Sequence, residues 1–509
     1  MTAYITRRIV ASLAILLLAS FVMFALMTAG SDPLAEFTSI TTPNKQLLID
    51  ARIDALNLDQ PFIVQYLIWL KGAFMCLVPG GGCDLGLNLQ NQQVTAVLSD
   101  AIPTTLQLVL AATILAIVLG VAIGILSAIR QYSSFDYSIT FAAFLFFSLP
   151  IFWVAVLLKE FGAIRINNWL SDPAVSIPTA LVIGAFGALF FSAFAGGSRL
   201  RKVIVGVIAG FASIAIFAVL VAVGWFQNPG MGPGLVILGA VAGAFGATLL
   251  FTNLDNRRVL FIALGSAAAG VAVAYAAYPV LEDPTLFQLM GLGVLATVLG
   301  VVIATIFGGI DRAAAIRASV VTSFIVGLLV FTDHTISSFA AYSDSVNGRP
   351  FATIGSKTPN YTGTFWEVFL DTATHLLLPT LAIMLISFAG YSRYSRASML
   401  EVMNADYVRT ARAKGLTERT VVLRHAFRNA LIPLTTLAAL DFGAVIAGAI
   451  ITETVFGWKG MGVVFVSGVD KSDVYQVMGV FLVTAVAVLV FNLIADITYA
   501  FLDPRIRLT

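Results

Sequence analysis

The chain has 509 residues, of which 59% are hydrophobic and only 11% charged, and its formal net charge is +2. Its mean hydropathy is +0.95. These values exclude a water-soluble domain of this length, and so small a net charge gives no footprint for nucleic acid. They predict an all-α polytopic membrane protein with membrane lipid as its solvent.

Apolar runs of roughly 20 residues, the length that crosses a core of about 30 Å as a helix, fall in chain order at 9–29, 103–128, 137–159, 177–197, 203–226, 234–252, 259–280, 286–310, 318–340, 374–392, 434–456 and 476–501. That makes twelve expected transmembrane helices. Lys and Arg accumulate in cytoplasmic loops. With the N-terminus inside, the inner segments carry Arg7 and Arg8, Arg130, Arg199 to Lys202, Arg257 and Arg258, Arg312 and Arg317, the segment 393–432, and Arg505 and Arg507, together 20 of the 29 Lys+Arg. The alternation predicts a multi-pass protein of the bacterial plasma (inner) membrane with both termini cytoplasmic. The first apolar run, behind Arg7 and Arg8, reads as a retained anchor rather than a cleaved signal.

The loop 30–102 is the one long outer segment and is expected to form a small external cap, with a helix from Pro61 to Phe74. The two cysteines, Cys76 and Cys83, lie in it, separated by glycine-rich sequence that can turn back on itself. On the oxidising side of the membrane they can pair; two free thiols are the alternative.

The segment after the tenth span is the densest in charge. From Arg393 to Arg428 there are eight Lys/Arg against three Asp/Glu. Within it, Asn404 is expected to cap a short helix, with Asp406 near its positive end and Arg412 and Lys414 near its negative end. Gly415 supplies the left-handed residue that ends a helix, and Leu416 the apolar contact behind it. Thr417 is a new N-cap, and Glu418 opens a second helix expected to break at Pro433.

The order of cap, helix, glycine, cap, helix and proline in DYVRTARAKGLTERTVVLRHAFRNALIP resembles the EAA loop of ABC-importer permease subunits, in the version found in the dipeptide/oligopeptide family. LNLDQPFIVQYLIWL, TLQLVLAATILAIVLGVAIGILSA and SLPIFWVAVLL, followed far downstream by HLLLPTLAI, GAIITETVFGWKGMG and NLIADITYAFLDPRIRL, extend the resemblance over about 310 residues in two blocks. One departure is Lys459 in GWKGMG, where the family commonly has proline. The other is the segment from about 160 to 370, which matches no recognised pattern.

The resemblance implies three parts: 1–160, the first part of the permease core, with spans 1–3; 161–370, an inserted block of about six spans; and 371–509, the second part, with spans 10–12 and the coupling loop 393–432. It also implies a pore-forming subunit for a peptide substrate, working with a second homologous permease subunit, two cytoplasmic ABC ATPases and an extracytoplasmic substrate-binding protein. The residues expected to meet the ATPase are Asp406, Arg409, Ala411, Lys414, Gly415, Leu416, Arg424, His425, Arg428 and Asn429. The expected translocation path carries Ser148, Pro150, Ser387, Gly443, Gly448 and Asn492.

The insert is rich in glycine; Gly184, Gly187, Gly206, Gly210, Gly239, Gly243, Gly291 and Gly293 are expected to let helices approach closely. Its FTDH stretch, Phe331 to His334, is the only polar cluster near a span end, and a packing role is favoured over a second transport site. No lysine follows a glycine, so the chain lacks a phosphate-cradling loop. It is expected not to be an enzyme and to bind no cofactor or metal, with ATP and Mg held by the partner ATPases. The alternative, an ion-gradient-driven secondary transporter, needs charged groups near mid-membrane; the candidates are Asp441, Glu453 and Asp496.

Overall fold

The computed structural model describes residues 2–30, 32–35, 45–76, 78, 80–435, 437, 438, 441, 442 and 449–502. Among these, ten helices are long and apolar enough to cross a membrane, or eleven if one bent pair is a single span. The all-α expectation holds, and ten of the twelve expected spans are these helices. The expected straight span 137–159 is instead the bent pair, Ser134–Ser148 and Ile151–Ser171, with 101° between its halves. The cause is local. Pro150 excludes the helical conformation from Leu149, which is extended at φ −82° and ψ 130°, and the second half starts after Pro150. The expected span 434–456 falls largely outside the described residues, its described end being the short helix Ile450–Val455.

The chain divides into two compact units, one of Met1–Glu160, Thr353–Ser356 and Leu376–Thr509, the other of Phe161–Ala352 and Lys357–His375. In the first unit, Val94–Ile129 and Val474–Leu502 pack together with Met461–Asp470 around a core that includes Val94, Leu98, Leu108, Trp458, Met461 and Met478. The helix Phe62–Met75, expected in the external cap, docks by its rings. Tyr66 and Phe62 meet Phe21 and Phe24 of Thr2–Gly30, and the Tyr66 hydroxyl lies 2.9 Å from Ser20 Oγ. Cys76 and Cys83 are disulfide-bonded. Downstream, Gly86 at φ +88° lies so close under the Tyr475 ring that a Cβ would stand 3.0 Å from it.

The second unit contains a tight hairpin, Ile177–Phe194 against Arg199–Ala222, and a four-helix group of Gly232–Phe251, Arg257–Ala276, Leu286–Phe307 and Arg312–Ser337. Small residues set the spacing. A Cβ on Gly184 would lie 2.7 Å from Ile214, on Gly187 2.2 Å from Ser213 Oγ, and on Gly210 2.9 Å from the Gly184 carbonyl. Gly239 and Gly243 press on Leu329 and Ile325 in the same way. Gly291 and Gly293 do not; nothing lies within 4 Å of a Cβ built there. The four-helix core is mostly alanine, including Ala240, Ala244, Ala263, Ala304 and Ala315, so its backbones approach closely without large side chains. The FTDH stretch is structural. Asp333 accepts from the Met231 and Gly232 N–H groups at 3.0 Å each, and His334 stacks on Trp366 at 5.3 Å.

Candidate functional site

The basic segment forms a helical hairpin at the end of the 39-residue helix Phe365–Met403, which is about 58 Å long at 1.5 Å per residue. Arg393 and Arg396, expected in a loop, are therefore on this helix. Asp406–Ala413 is the hairpin's first arm. Asn404 is not its cap: its side-chain amide turns back to donate to Leu400 O at 3.0 Å, and Ala405 holds the cap position. An orphan carbonyl at the end of the long helix competes for that amide and wins. Gly415 is at φ +76°, in the left-handed region, with nothing within 4 Å of a Cβ built on it. Thr417 caps the second arm by accepting from Thr420 N at 3.4 Å.

The second arm runs through Glu418–Thr420, a π-helical stretch Val421–Ala426 and Phe427–Ala430. It ends at a turn on Leu431. Pro433 is not the break but sits in the first turn of the next helical stretch, where a missing N–H costs no bond.

One face of the hairpin is core. Val408, Ala411, Val421, Val422, Ala426 and Ala430 are buried together with Ala128 and Met399. Ala411 is thus a packing residue within the hairpin, not a surface contact. The opposite face is open: Asp406, Arg409, Lys414, Gly415, Leu416, Arg424, Arg428 and Asn429 are exposed, and His425 is half-buried. Two polar links hold the arms. Arg412 donates to both Glu418 oxygens, at 2.8 and 3.2 Å, across the glycine turn. Asn429 donates to the Tyr407 hydroxyl at 2.9 Å. The Arg412 bond holds the Glu418 carboxyl below its ordinary value.

The hairpin is fixed to the membrane helices through contacts that sequence reasoning missed. Ser398 donates to Ala430 O at 2.9 Å. Two turns before the end of the long helix, Arg396 donates to both oxygens of the buried Asp136. Asp136 also accepts from Ser127 and, at 3.0 Å, from Tyr132 N. Thus Val94–Ile129, the start of Ser134–Ser148 and the long helix meet on one carboxylate. The usable signal was Ser133 three residues before Asp136, an N-cap pattern that the structure confirms. The Arg396 partner, 260 residues away, left no local trace.

The expected path residues lie on separate elements. Ser148 and Pro150 flank the bend, Ser387 lies midway along the long helix, and Asn492 is half-buried in Val474–Leu502. Gly443 and Gly448 lie outside the described residues. Of the carboxylates weighed for an ion path, Asp441 accepts from Tyr391 at 3.1 Å. Glu453 is buried and accepts from Thr105 Oγ1 at 2.7 Å and Val463 N at 3.2 Å, pinning the GWKGMG turn. The side chain of Asp496 lies outside the described residues. Among the described residues no group of three or more His, Cys, Asp or Glu could hold a metal.

An exposed basic hairpin on the end of membrane helices is what the EAA-loop resemblance implies, and comparison with known proteins decides the family. Residues 188–508 match the binding-protein-dependent transport system inner membrane component, and residues 1–109 match the N-terminal region of such membrane components. The chain belongs to this family. Relatives include the oligopeptide transport system permease protein OppB of Mycobacterium tuberculosis, 26% identical over 509 residues and the full length of both chains. Residues in the oligopeptide permease AppB of Bacillus subtilis are 43% identical over 163 residues, 32% of this chain and 50% of that one. The dipeptide permease DppB of Escherichia coli is 42% identical over 139 residues, 27% of this chain and 41% of its own. As a member of the family, the chain is a multi-pass inner-membrane transport component.

Proposed function

We propose that the chain is one of two permease subunits of an ATP-driven peptide importer, and that residues 406–430 receive the stroke of a cytoplasmic ATPase. The observation that carries this reading is the two-faced hairpin. Its apolar side is packed into the ends of the membrane helices, and its other side exposes Arg409, Lys414, Leu416, Arg424, Arg428 and Asn429. A rigid body with one face built into the spans and one left open suits mechanical coupling.

In this reading ATP and Mg bind the partner ATPases, whose closure moves the hairpin. The bidentate Arg396–Asp136 pair passes that movement to the helix Ser134–Ser148 and hence to the bend at Pro150. The path belongs to 1–160 and 371–509, and a binding protein delivers peptide to the outer cap around Cys76 and Cys83. The peptide assignment rests on the oligopeptide and dipeptide permeases that the chain resembles.

Cysteine placed at Leu416 or Arg424, with a matching set on the ATPase surface, tests the contact. Cross-links that form in the complex and change with nucleotide support it. Cross-linking no greater than at the outward-facing control Lys459 contradicts it.

A further inference from the structure

Three helices of the four-helix group, Arg257–Ala276, Leu286–Phe307 and Arg312–Ser337, form with Leu281 and Trp366 of the same unit an open apolar cavity of about 560 Å³. Its floor is buried: Gly270, Ala296, Val326 and Trp366. Its mouth is not. Met290, Val294, Phe324 and Leu328 line it from Leu286–Phe307 and Arg312–Ser337 and are 60%, 62%, 71% and 55% exposed. Leu286–Phe307 carries no charged side chain, and on Arg312–Ser337 the stretch 318–332, which holds every lining residue of that helix, carries none; Arg312 and Arg317 stand at one end and Asp333 at the other. The mouth therefore opens at hydrocarbon depth.

Two exposed glycines border open space in the wall. A Cβ on Gly293 or Gly327, both in the cavity wall, would meet nothing within 4 Å. Elsewhere in the same group glycine serves contact, as where Gly300 meets Ser323 and Ser266. Protein interiors are close-packed, and a volume of this size is in the range of ligand sites, about 300–1,000 Å³.

The lining selects the occupant. Its polar groups, Thr297 and Ser323, both spend their hydroxyls on backbone carbonyls, Gly293 O at 2.8 Å and Ala296 O at 3.3 Å. Nothing there could pair the charged termini of a peptide, whose burial unpaired is costly. A hydrocarbon chain needs no partner. At the end toward Asp333, buried Trp366 donates its indole N–H to Leu281 O at 2.7 Å, and beyond the lining the exposed Tyr278 lies beside His334, an aromatic group of the kind that sits at head-group level.

We propose that this cavity is an acyl-chain site for a phospholipid of the bilayer, with one chain between Leu286–Phe307 and Arg312–Ser337 and the head group near Tyr278. The site is independent of the peptide reading.

The test fills the cavity. The double variant Gly293→Leu, Gly327→Leu places side chains where there is room, and Gly246→Leu, equally unobstructed but outside the lining, is the control. The full chain is purified in mild detergent and its phospholipid counted by mass spectrometry. The wild type and the control should retain about one phospholipid per chain more than the double variant. Added phosphatidylcholine should raise the melting temperature of the first two and not of the third. Equal retention and an equal shift in all three would overturn the proposal. On the unmodified chain, phosphatidylcholine with a photoreactive diazirine in its acyl chain should label residues 290–298 and 323–331. Labelling there by a photoreactive peptide and not by the lipid would make the site a substrate site instead.

Discussion

Arg396 and Asp136 form a two-point ion pair, Nε to Oδ1 at 2.7 Å and Nη2 to Oδ2 at 2.9 Å, with the carboxylate buried and the guanidinium partly open. Arg guanidinium matches a carboxylate in this planar fork as Lys cannot. The pair fastens the helix that carries the hairpin to the helix that leads into the bend at Pro150. Removing one partner leaves a charge without its mate, at a cost of about 2–4 kcal/mol here, somewhat below that of a fully enclosed pair. Asp136→Leu and Arg396→Met should each lower the melting temperature, and the double variant Asp136→Leu, Arg396→Met should lower it by clearly less than the sum. Additive losses would show that the two residues act independently.

At Gly415 the constraint is in the backbone alone, because φ is +76° while the space around it is open. Gly415→Val should cost on the order of 1–3 kcal/mol locally and alter the angle between the arms. Gly415→Asn, which tolerates this conformation, should be mild. In the reconstituted complex, Gly415→Val should keep ATP hydrolysis and lose most peptide uptake, while Gly415→Asn retains both. Normal uptake by the valine variant would make the glycine incidental.

The Arg412–Glu418 link sets a pH dependence. The Glu418 carboxyl is held below its unfolded value by the Arg412 hydrogen bond. Its contribution is therefore complete above about pH 4.3 and is lost as pH falls through the lower folded value. Being exposed, the pair contributes at most about 1 kcal/mol. Hydrogen exchange of residues 406–420 should be flat from about pH 5 to 8 after correction for intrinsic rates, and protection should drop in stronger acid. Glu418→Gln should remove that drop; an unchanged acid profile in the variant would assign it to another group.

The GWKGMG turn should be intolerant at one glycine. A Cβ on Gly460 would lie 2.3 Å from Glu453 Oε1 and 2.4 Å from Thr105 Oγ1, both buried and hydrogen-bonded to each other. Gly460→Ala should destabilise the protein by about 1–3 kcal/mol. Substitution of the exposed neighbour Lys459 should change stability by less than about 0.5 kcal/mol. Comparable melting temperatures for Gly460→Ala and Lys459→Ala would refute the clash.

The membrane class and ten of the spans were legible because apolar length is a local signal, and so were Gly415 and Thr417, since a left-handed turn and an N-cap each favour few residue types. Asn404 and Pro433 were misread because a capping amide or a proline fits two neighbouring roles, and only the competing backbone groups choose. The bend at Pro150 hid inside an apolar run whose composition stays that of a span. The Arg396–Asp136 pair and the cavity beside Gly293 depend on residues distant in sequence, which no periodicity brings together. Glycine in the insert served both close packing, at Gly187, and open space, at Gly293.

The most direct test of the account is uptake by proteoliposomes containing the tagged chain with the subunits that co-purify with it. A permease subunit driven through residues 406–430 should bring down a second permease and two ATPases, and import labelled peptide only with ATP and the binding protein present. A homogeneous oligomer of this chain alone that accumulates substrate on a proton gradient without nucleotide would contradict it.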